Sequence, residues 1–132
     1  MEFHDIMKPR GFLSAGGFVL VLLGILGFVG VIGPTPGQSM FGTFWWFDNA
    51  ENTAHTVLGA VALLAAYRIK DNAMVKNLVL LYGALAFVAG LYNFSSEKLL
   101  GANLETPADM VLHLAVGAWG LASGLMYKTK KK

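Results

Sequence analysis

The sequence contains no cysteine and few charged residues, 14% of the chain. Without cysteine, the protein cannot form a disulfide scaffold, a thiolate metal site or a cysteine nucleophile. The charged fraction is well below the roughly 25% of an average soluble domain, and the 55% apolar content argues against a disordered chain. The sequence shows no arrangement of serine, histidine and acid that is typical of a catalytic nucleophile, and it contains no glycine-rich phosphate-binding loop. We therefore expect no enzymatic activity.

The apolar residues fall into four blocks of about twenty, the length at which a helix crosses a hydrocarbon core of about 30 Å. The blocks are residues 11–33, 50–69, 75–94 and 107–127. Charged residues lie only near their ends, so Glu51, Arg68 and Asp109 are expected to reach the membrane surface. The sequence predicts one domain over residues 1–132, an all-α polytopic membrane protein with four transmembrane helices in a lipid bilayer.

The basic residues predict the orientation of these four helices. If both termini are cytoplasmic, nine of the ten lysines and arginines lie on that side, and only Lys98 lies opposite. The positive-inside rule favours this topology. In this topology, the lysine-rich tail after Tyr127 is expected to be a stop-transfer anchor at the membrane, and we expect no nucleic-acid partner. In the outer loop, Trp45 and Trp46 are predicted to form an interfacial aromatic belt.

The two halves of the chain resemble each other at an offset of 58 or 59 residues. Residues 22–30 align with residues 81–89, and the pattern Glu51-x-x-x-His55-x-x-x-Gly59 aligns with Asp109-x-x-x-His113-x-x-x-Gly117. This predicts two helical hairpins of the same topology, related by a pseudo-two-fold axis along the membrane normal. Small residues are expected to pack the helices, within the chain or against a neighbour. They are Gly24, Gly27, Gly30, Gly83, Ala86, Gly120 and Gly124.

The acid of each pattern has a structural explanation. Asp48 and Thr106 each stand three positions before an acid, the spacing of an N-terminal capping residue and a first-turn carboxylate. A carboxylate in the first turn also complements the helix dipole. In a helix, each acid then lies one turn from the histidine of its own pattern.

The two histidines allow several interpretations, because an imidazole inside a membrane helix needs a partner. The structural explanation is a hydrogen bond to the preceding carboxylate or to a neighbouring helix. Alternatively, His55 and His113 coordinate haem b or a chlorophyll-type pigment, with Gly59 and Gly117 leaving room beside the rings. A zinc-type site or a proton relay would use the histidines and the acids together. The candidate metal ligands are His55, His113, Glu51 and Asp109.

At Asn52-x-x-His55-x-x-x-Gly59 and Asp109-x-x-x-His113-x-x-x-Gly117, the sequence resembles a widespread family of small bacterial four-helix membrane proteins of unknown function. The resemblance implies four helices and a prokaryotic cytoplasmic membrane, and it transfers no catalytic residue. Short loops and small-residue faces predict a non-catalytic accessory subunit or binding protein, whose partner is a membrane protein or a second copy. The alternatives are a haem or pigment protein and, third, a small transporter or proton-coupled carrier.

Overall fold

Helices account for most of the structure, a computed structural model that describes residues 3–99, 102–103 and 107–127. In chain order the helices are α1 (Phe3–Ile6), α2 (Pro9–Phe28), α3 (Asn49–Arg68), α4 (Asn72–Tyr92) and α5 (Ala108–Met126). Two 3-10 turns, Pro36–Gln38 and Gly42–Phe44, separate α2 from α3, and the short antiparallel pair β1 (Lys98–Leu99) and β2 (Ala102–Asn103) separates α4 from α5. The predicted helical class is confirmed. The lysine-rich tail and Thr106 lie outside the described residues.

Three helices, α2, α4 and α5, are long and apolar enough to cross a membrane. Many of their large apolar side chains face outward, which is unfavourable in water and expected against lipid. Examples are Phe18, Leu22, Ile25, Leu81, Leu85, Val88 and Leu125. These observations suggest a membrane protein. The second predicted span, α3, is less apolar because its first two turns carry polar residues. They are Asn49, Glu51, Asn52, Thr53, His55 and Thr56.

The first span is shorter than the sequence predicts, because α2 ends at Phe28 rather than continuing to residue 33. Gly30 has a φ of +86°, a left-handed conformation that glycine adopts without steric strain. The backbone N–H groups of Val31 and Ile32 then donate to the Leu26 carbonyl, which satisfies the end of the helix. Gly30 was predicted to pack helices, but it terminates one.

The helices pair as they follow in the chain, α2 against α3 and α4 against α5, and glycine permits close approach in both pairs. A methyl group at Gly17 would lie 2.9 Å from the Gly59 carbonyl oxygen, and one at Gly83 would lie 3.1 Å from the Gly117 carbonyl oxygen. The predicted packing residues Gly24, Gly27, Gly120 and Gly124 also lie within these pairs. Their small faces are therefore used inside the chain rather than presented to a neighbour.

The two helix pairs meet at the end of the bundle where α2 and α4 begin. Phe12 and Leu13 of α2 are buried there with Val75 and Val79 of α4 and with three alanines of α3. Trp119 of α5 packs edge-on against Phe12, with ring centroids 4.6 Å apart. This apolar core joins the pairs into one bundle.

Two basic side chains hold helix ends together at this same end of the bundle. Arg10 donates from Nη1 to the carbonyl oxygens of Ala66 and Ile69, at 2.6 and 2.7 Å, where α3 ends. Lys76 donates from Nζ to the Tyr127 carbonyl oxygen at 3.0 Å, where α5 ends. Each cation satisfies carbonyls that have no partner within their own helix. Both contacts were missed by sequence reasoning, which placed Arg10 and Lys76 only as topology signals.

Candidate functional site

A cluster of polar side chains lies at the opposite end of the bundle, where α3 and α5 begin. We call Glu51, Asn52, His55, Asp109 and His113 the polar cluster. The first turn of α3 is fixed by its N-cap, because the Asp48 carboxylate accepts a hydrogen bond from the Glu51 backbone N–H at 2.9 Å. This confirms the cap predicted from the sequence.

The acids of the polar cluster are buried, whereas the sequence predicted that they reach the membrane surface. Glu51 is 3% exposed and Asp109 is 1% exposed, so both side chains point into the protein. Burial of a carboxylate is costly unless hydrogen bonds or charges compensate it. The two acids are therefore part of the interior.

Asn52 fills the space between α3 and α2 completely, with no exposed surface. Its side-chain Nδ2 donates to the Phe47 carbonyl oxygen at 3.3 Å, while Oδ1 is buried without a hydrogen-bond partner in the described part of the chain. Any side chain larger than hydrogen at Gly27 would overlap the Asn52 amide. Gly27 is thus the residue that admits Asn52. Sequence reasoning named Asn52 only as part of a motif.

Trp45 connects the outer loop to α5. Its indole Nε1 donates to the Asp109 carboxylate at 2.9 Å, and Asp109 lies in the first turn of that helix. The α5 helix begins after Pro107, which occupies the N-cap position without a side-chain cap, and the predicted cap Thr106 is outside the described residues. Trp45 was expected in an interfacial belt with Trp46, but its polar group is directed into the protein. Trp46 is half-buried.

The two histidines differ in their surroundings. His113 Nδ1 lies 2.7 Å from the Asp109 carbonyl oxygen, and because a carbonyl only accepts, Nδ1 carries the proton in this hydrogen bond. His55 packs edge-on against the Phe47 ring with centroids 5.0 Å apart, and its Nδ1 is buried without a described hydrogen-bond partner. His55 lies in the second turn of α3 and His113 in the second turn of α5. The structure therefore places the two aligned histidines at the same end of the bundle.

The structure does not assemble the metal site considered from the sequence. Among the described residues, no group of three or more histidines and acids converges so that it could hold a metal ion. The Asp109 carboxylate already accepts the Trp45 indole N–H. Among the described residues, the four predicted ligands are therefore not arranged as a coordination sphere.

The space expected beside the histidines is occupied by neighbouring helices. A methyl group at Gly59 would lie 2.7 Å from the Gly17 carbonyl oxygen and 2.7 Å from the Val21 nitrogen. One at Gly117 would lie 2.5 Å from the Phe87 nitrogen. These glycines serve helix pairing, so they provide no slot for a macrocycle.

The loop between α2 and α3, which the sequence predicts to lie on the outer side, is held together by hydrogen bonds between its own residues. Ser39 Oγ donates to the Trp45 carbonyl oxygen at 2.7 Å, and the Phe47 N–H donates to the Ile32 carbonyl oxygen at 2.8 Å. Two apolar side chains of this loop point outward: Met40 is 72% exposed and Phe44 is 62% exposed. The loop is thus a fixed element with an apolar outer surface.

The fold and the polar cluster define a small helical protein with candidate membrane spans. Residues 10–126 match the family described as Domain of unknown function (DUF4383), and the chain belongs to that family. No curated protein and no solved structure matches the chain.

Proposed function

We propose that this is a non-catalytic integral membrane protein that acts as an accessory subunit or binding protein, and that its outer loop contacts the partner. The observation that carries the proposal is the anchored loop itself. Three exposed apolar side chains, Met40, Phe41 and Phe44, project from a segment fixed to α5 through Trp45 and Asp109. A rigid apolar surface loses little conformational entropy on association, which favours binding.

The proposal includes α3 as a fourth transmembrane helix, with both termini on the cytoplasmic side of a prokaryotic membrane. Two observations support it. The helix has 20 residues, about 30 Å at 1.5 Å per residue, and it pairs with α2. Only three residues, 69–71, connect its end to the start of α4. In a bundle that spans the bilayer, α3 therefore crosses it too, and two of its early polar residues, Glu51 and Asn52, are buried inside the protein.

The proposal also includes two hairpin repeats, with a register that differs from the sequence alignment. The Gly17 contact with Gly59 matches the Gly83 contact with Gly117. A methyl group at Gly24 would lie 3.0 Å from the Thr56 nitrogen, and one at Gly90 would lie 3.0 Å from the Leu114 nitrogen. The carbonyl contacts of Arg10 and Lys76 match as well.

These pairs support an offset of 66 between the first helices, as from Gly17 to Gly83, and of 58 between the second helices, as from Gly59 to Gly117. The sequence alignment of residues 22–30 with 81–89 differs from this by seven residues, about two helical turns. Glycines lie seven residues apart in both α2 and α4, at Gly17 and Gly24 and at Gly83 and Gly90. This spacing explains why glycine aligns with glycine in the sequence alignment as well as in the structural register.

The topology is tested with single cysteines, which the absence of natural cysteine makes straightforward. Gly37→Cys on the exposed outer loop is expected to react with a membrane-impermeant maleimide in intact cells. Lys70→Cys between α3 and α4 is expected to react only after permeabilisation. The reverse pattern, or equal labelling of both, would contradict the topology.

The partner surface is tested by photocrosslinking in cells. A photoreactive amino acid at Met40 or Phe44 is expected to give a discrete protein adduct. The matched control is Leu125, an apolar residue of similar exposure at the other end of the bundle, 70% exposed, which is expected to give lipid adducts alone. Lipid adducts alone from Met40 and Phe44 would refute the loop as the partner surface.

A haem or pigment protein is the second candidate, favoured by the Nδ1 of His55, which is buried without a described hydrogen-bond partner. The natively purified protein would then show a Soret or chlorin band that His55→Ala abolishes. A featureless visible spectrum together with a blank metal analysis would eliminate this candidate.

A further inference from the structure

A cavity lies at the end of the bundle opposite the polar cluster, between the starts of α2 and α4 and the end of α5. Its volume is about 190 Å³, several times the roughly 30 Å³ that a water molecule occupies in the liquid. It has room for a phosphate group and the first atoms attached to it. The cavity is lined by Lys8, Pro9, Arg10, Asn72, Val75 and Tyr127.

The polar groups of this cavity are mainly hydrogen-bond donors. Arg10 is held in place by three hydrogen bonds, to the carbonyls of Ala66 and Ile69 and to Asn72 Oδ1 at 3.1 Å. A guanidinium has five N–H groups, so two remain available beside the cavity. Since Oδ1 of Asn72 accepts from Arg10, the amide NH₂ group is the free end of that side chain. The fixed positive charge needs no further ordering to meet an anion.

Lys8 supplies a second, mobile cation at the cavity. Its Nζ lies 4.0 Å from the Asp5 carboxylate, and both side chains are well exposed, at 60% and 43%. Such an exposed pair is worth little in water, about 0–1 kcal/mol, so Lys8 can turn to a bound anion. Two cations and an amide donor at one cavity match the charge and oxygens of a phosphate.

The floor of the same cavity is apolar. Pro9 and Val75 are buried, and Val75 belongs to the apolar core that joins the helix pairs. Beyond the cavity, the three helices that border it expose apolar side chains, among them Phe18, Leu81 and Leu125. Donors at the mouth and hydrocarbon below match a molecule with a phosphate headgroup and acyl chains.

We propose that this cavity binds the phosphate headgroup of an anionic phospholipid, with the acyl chains lying along the helices. The inference rests on the membrane location proposed above and is independent of the partner at the outer loop. In the proposed topology the cavity faces the cytoplasmic leaflet, where anionic lipids meet basic side chains. Failure of the lipid test would leave the cysteine-labelling and crosslinking tests unaffected.

The test uses the full chain in mild detergent, titrated with phosphatidylglycerol and, separately, with phosphatidylcholine or inorganic phosphate while thermal unfolding is followed. Phosphatidylglycerol is expected to raise Tm. Lys8→Gln is expected to weaken its apparent affinity about tenfold, through the loss of one charge-assisted contact. The matched control is Lys70→Gln, which removes an exposed charge at the same end but outside the cavity, and it is expected to have no effect.

A second variant keeps the hydrogen bond to Arg10 and adds one negative charge at the cavity. In Asn72→Asp, an oxygen still accepts from Arg10, but the carboxylate repels phosphate, so phosphatidylglycerol is expected to stabilise this variant less. Equal stabilisation by phosphatidylcholine, or equal losses in Lys8→Gln and Lys70→Gln, would overturn the proposal. Full stabilisation by inorganic phosphate alone would assign the cavity to a soluble anion and would overturn the proposal that it binds a lipid.

Discussion

Replacement of Gly83 by alanine tests the helix pairing most directly. The new methyl group would lie 2.6 Å from the Leu121 nitrogen and 2.9 Å from the Gly120 carbonyl carbon. Both are backbone atoms, so α4 and α5 must move apart rather than a side chain rotating away. Overpacking of this kind costs about 1–3 kcal/mol, and alanine recovers at most about 1 kcal/mol of helix propensity. We expect a net loss of about 1 kcal/mol.

The matched control is Gly16→Ala in α2, because a methyl group there meets no atom within 4 Å. This variant gains the helix propensity of alanine and pays no steric penalty. The assay is reversible unfolding in mixed micelles by titration with sodium dodecyl sulfate, followed by circular dichroism. The two variants should differ by about 2 kcal/mol. If Gly83→Ala is as stable as Gly16→Ala, the close approach of α4 and α5 is refuted.

Three further predictions concern stability in the same assay. Trp45→Phe removes the indole donor of a buried carboxylate and should cost about 1–3 kcal/mol, while Trp46→Phe, at an indole with no described hydrogen bond, should change little. Arg10→Met should cost about 1.5–3 kcal/mol by leaving the carbonyls at the end of α3 without their donor, and an equal loss in the exposed control Arg68→Met would contradict this. Asp48→Ala should cost about 1 kcal/mol as a lost N-cap, and unchanged stability would show that the cap is not needed.

Much of the helical layout follows from local sequence. Twenty apolar residues in a row can satisfy their backbone only as a helix in lipid, which is why the first, third and fourth predicted spans correspond to α2, α4 and α5. The Asp48 cap was also readable, because its hydrogen bond joins residues three positions apart. The end of α2 was misjudged, since Gly30 looks the same in a sequence whether it packs a helix or ends one.

Only part of the candidate site could be predicted from the sequence. The two aligned histidines stood out because polar rings are rare in apolar helices, and the structure places them at the same end of the bundle. The Trp45 contact with Asp109 spans 64 positions of the chain, and no local pattern encodes it. Trp45 therefore looked like a membrane-surface residue until its partner was visible.

The sequence by itself determined the elements: the apolar lengths dictated the helices, the lack of cysteine and charge excluded whole classes of site, and the basic residues marked one end. Only the tertiary structure decided which surfaces of those elements meet and which side chains become buried. It turned two first-turn acids inward, used the glycines inside the helix pairs, and set Arg10 and Lys76 against carbonyls at the ends of partner helices. The physical reason is that helix formation depends on neighbours within a few residues, whereas burial and register depend on surfaces that meet only when the bundle assembles.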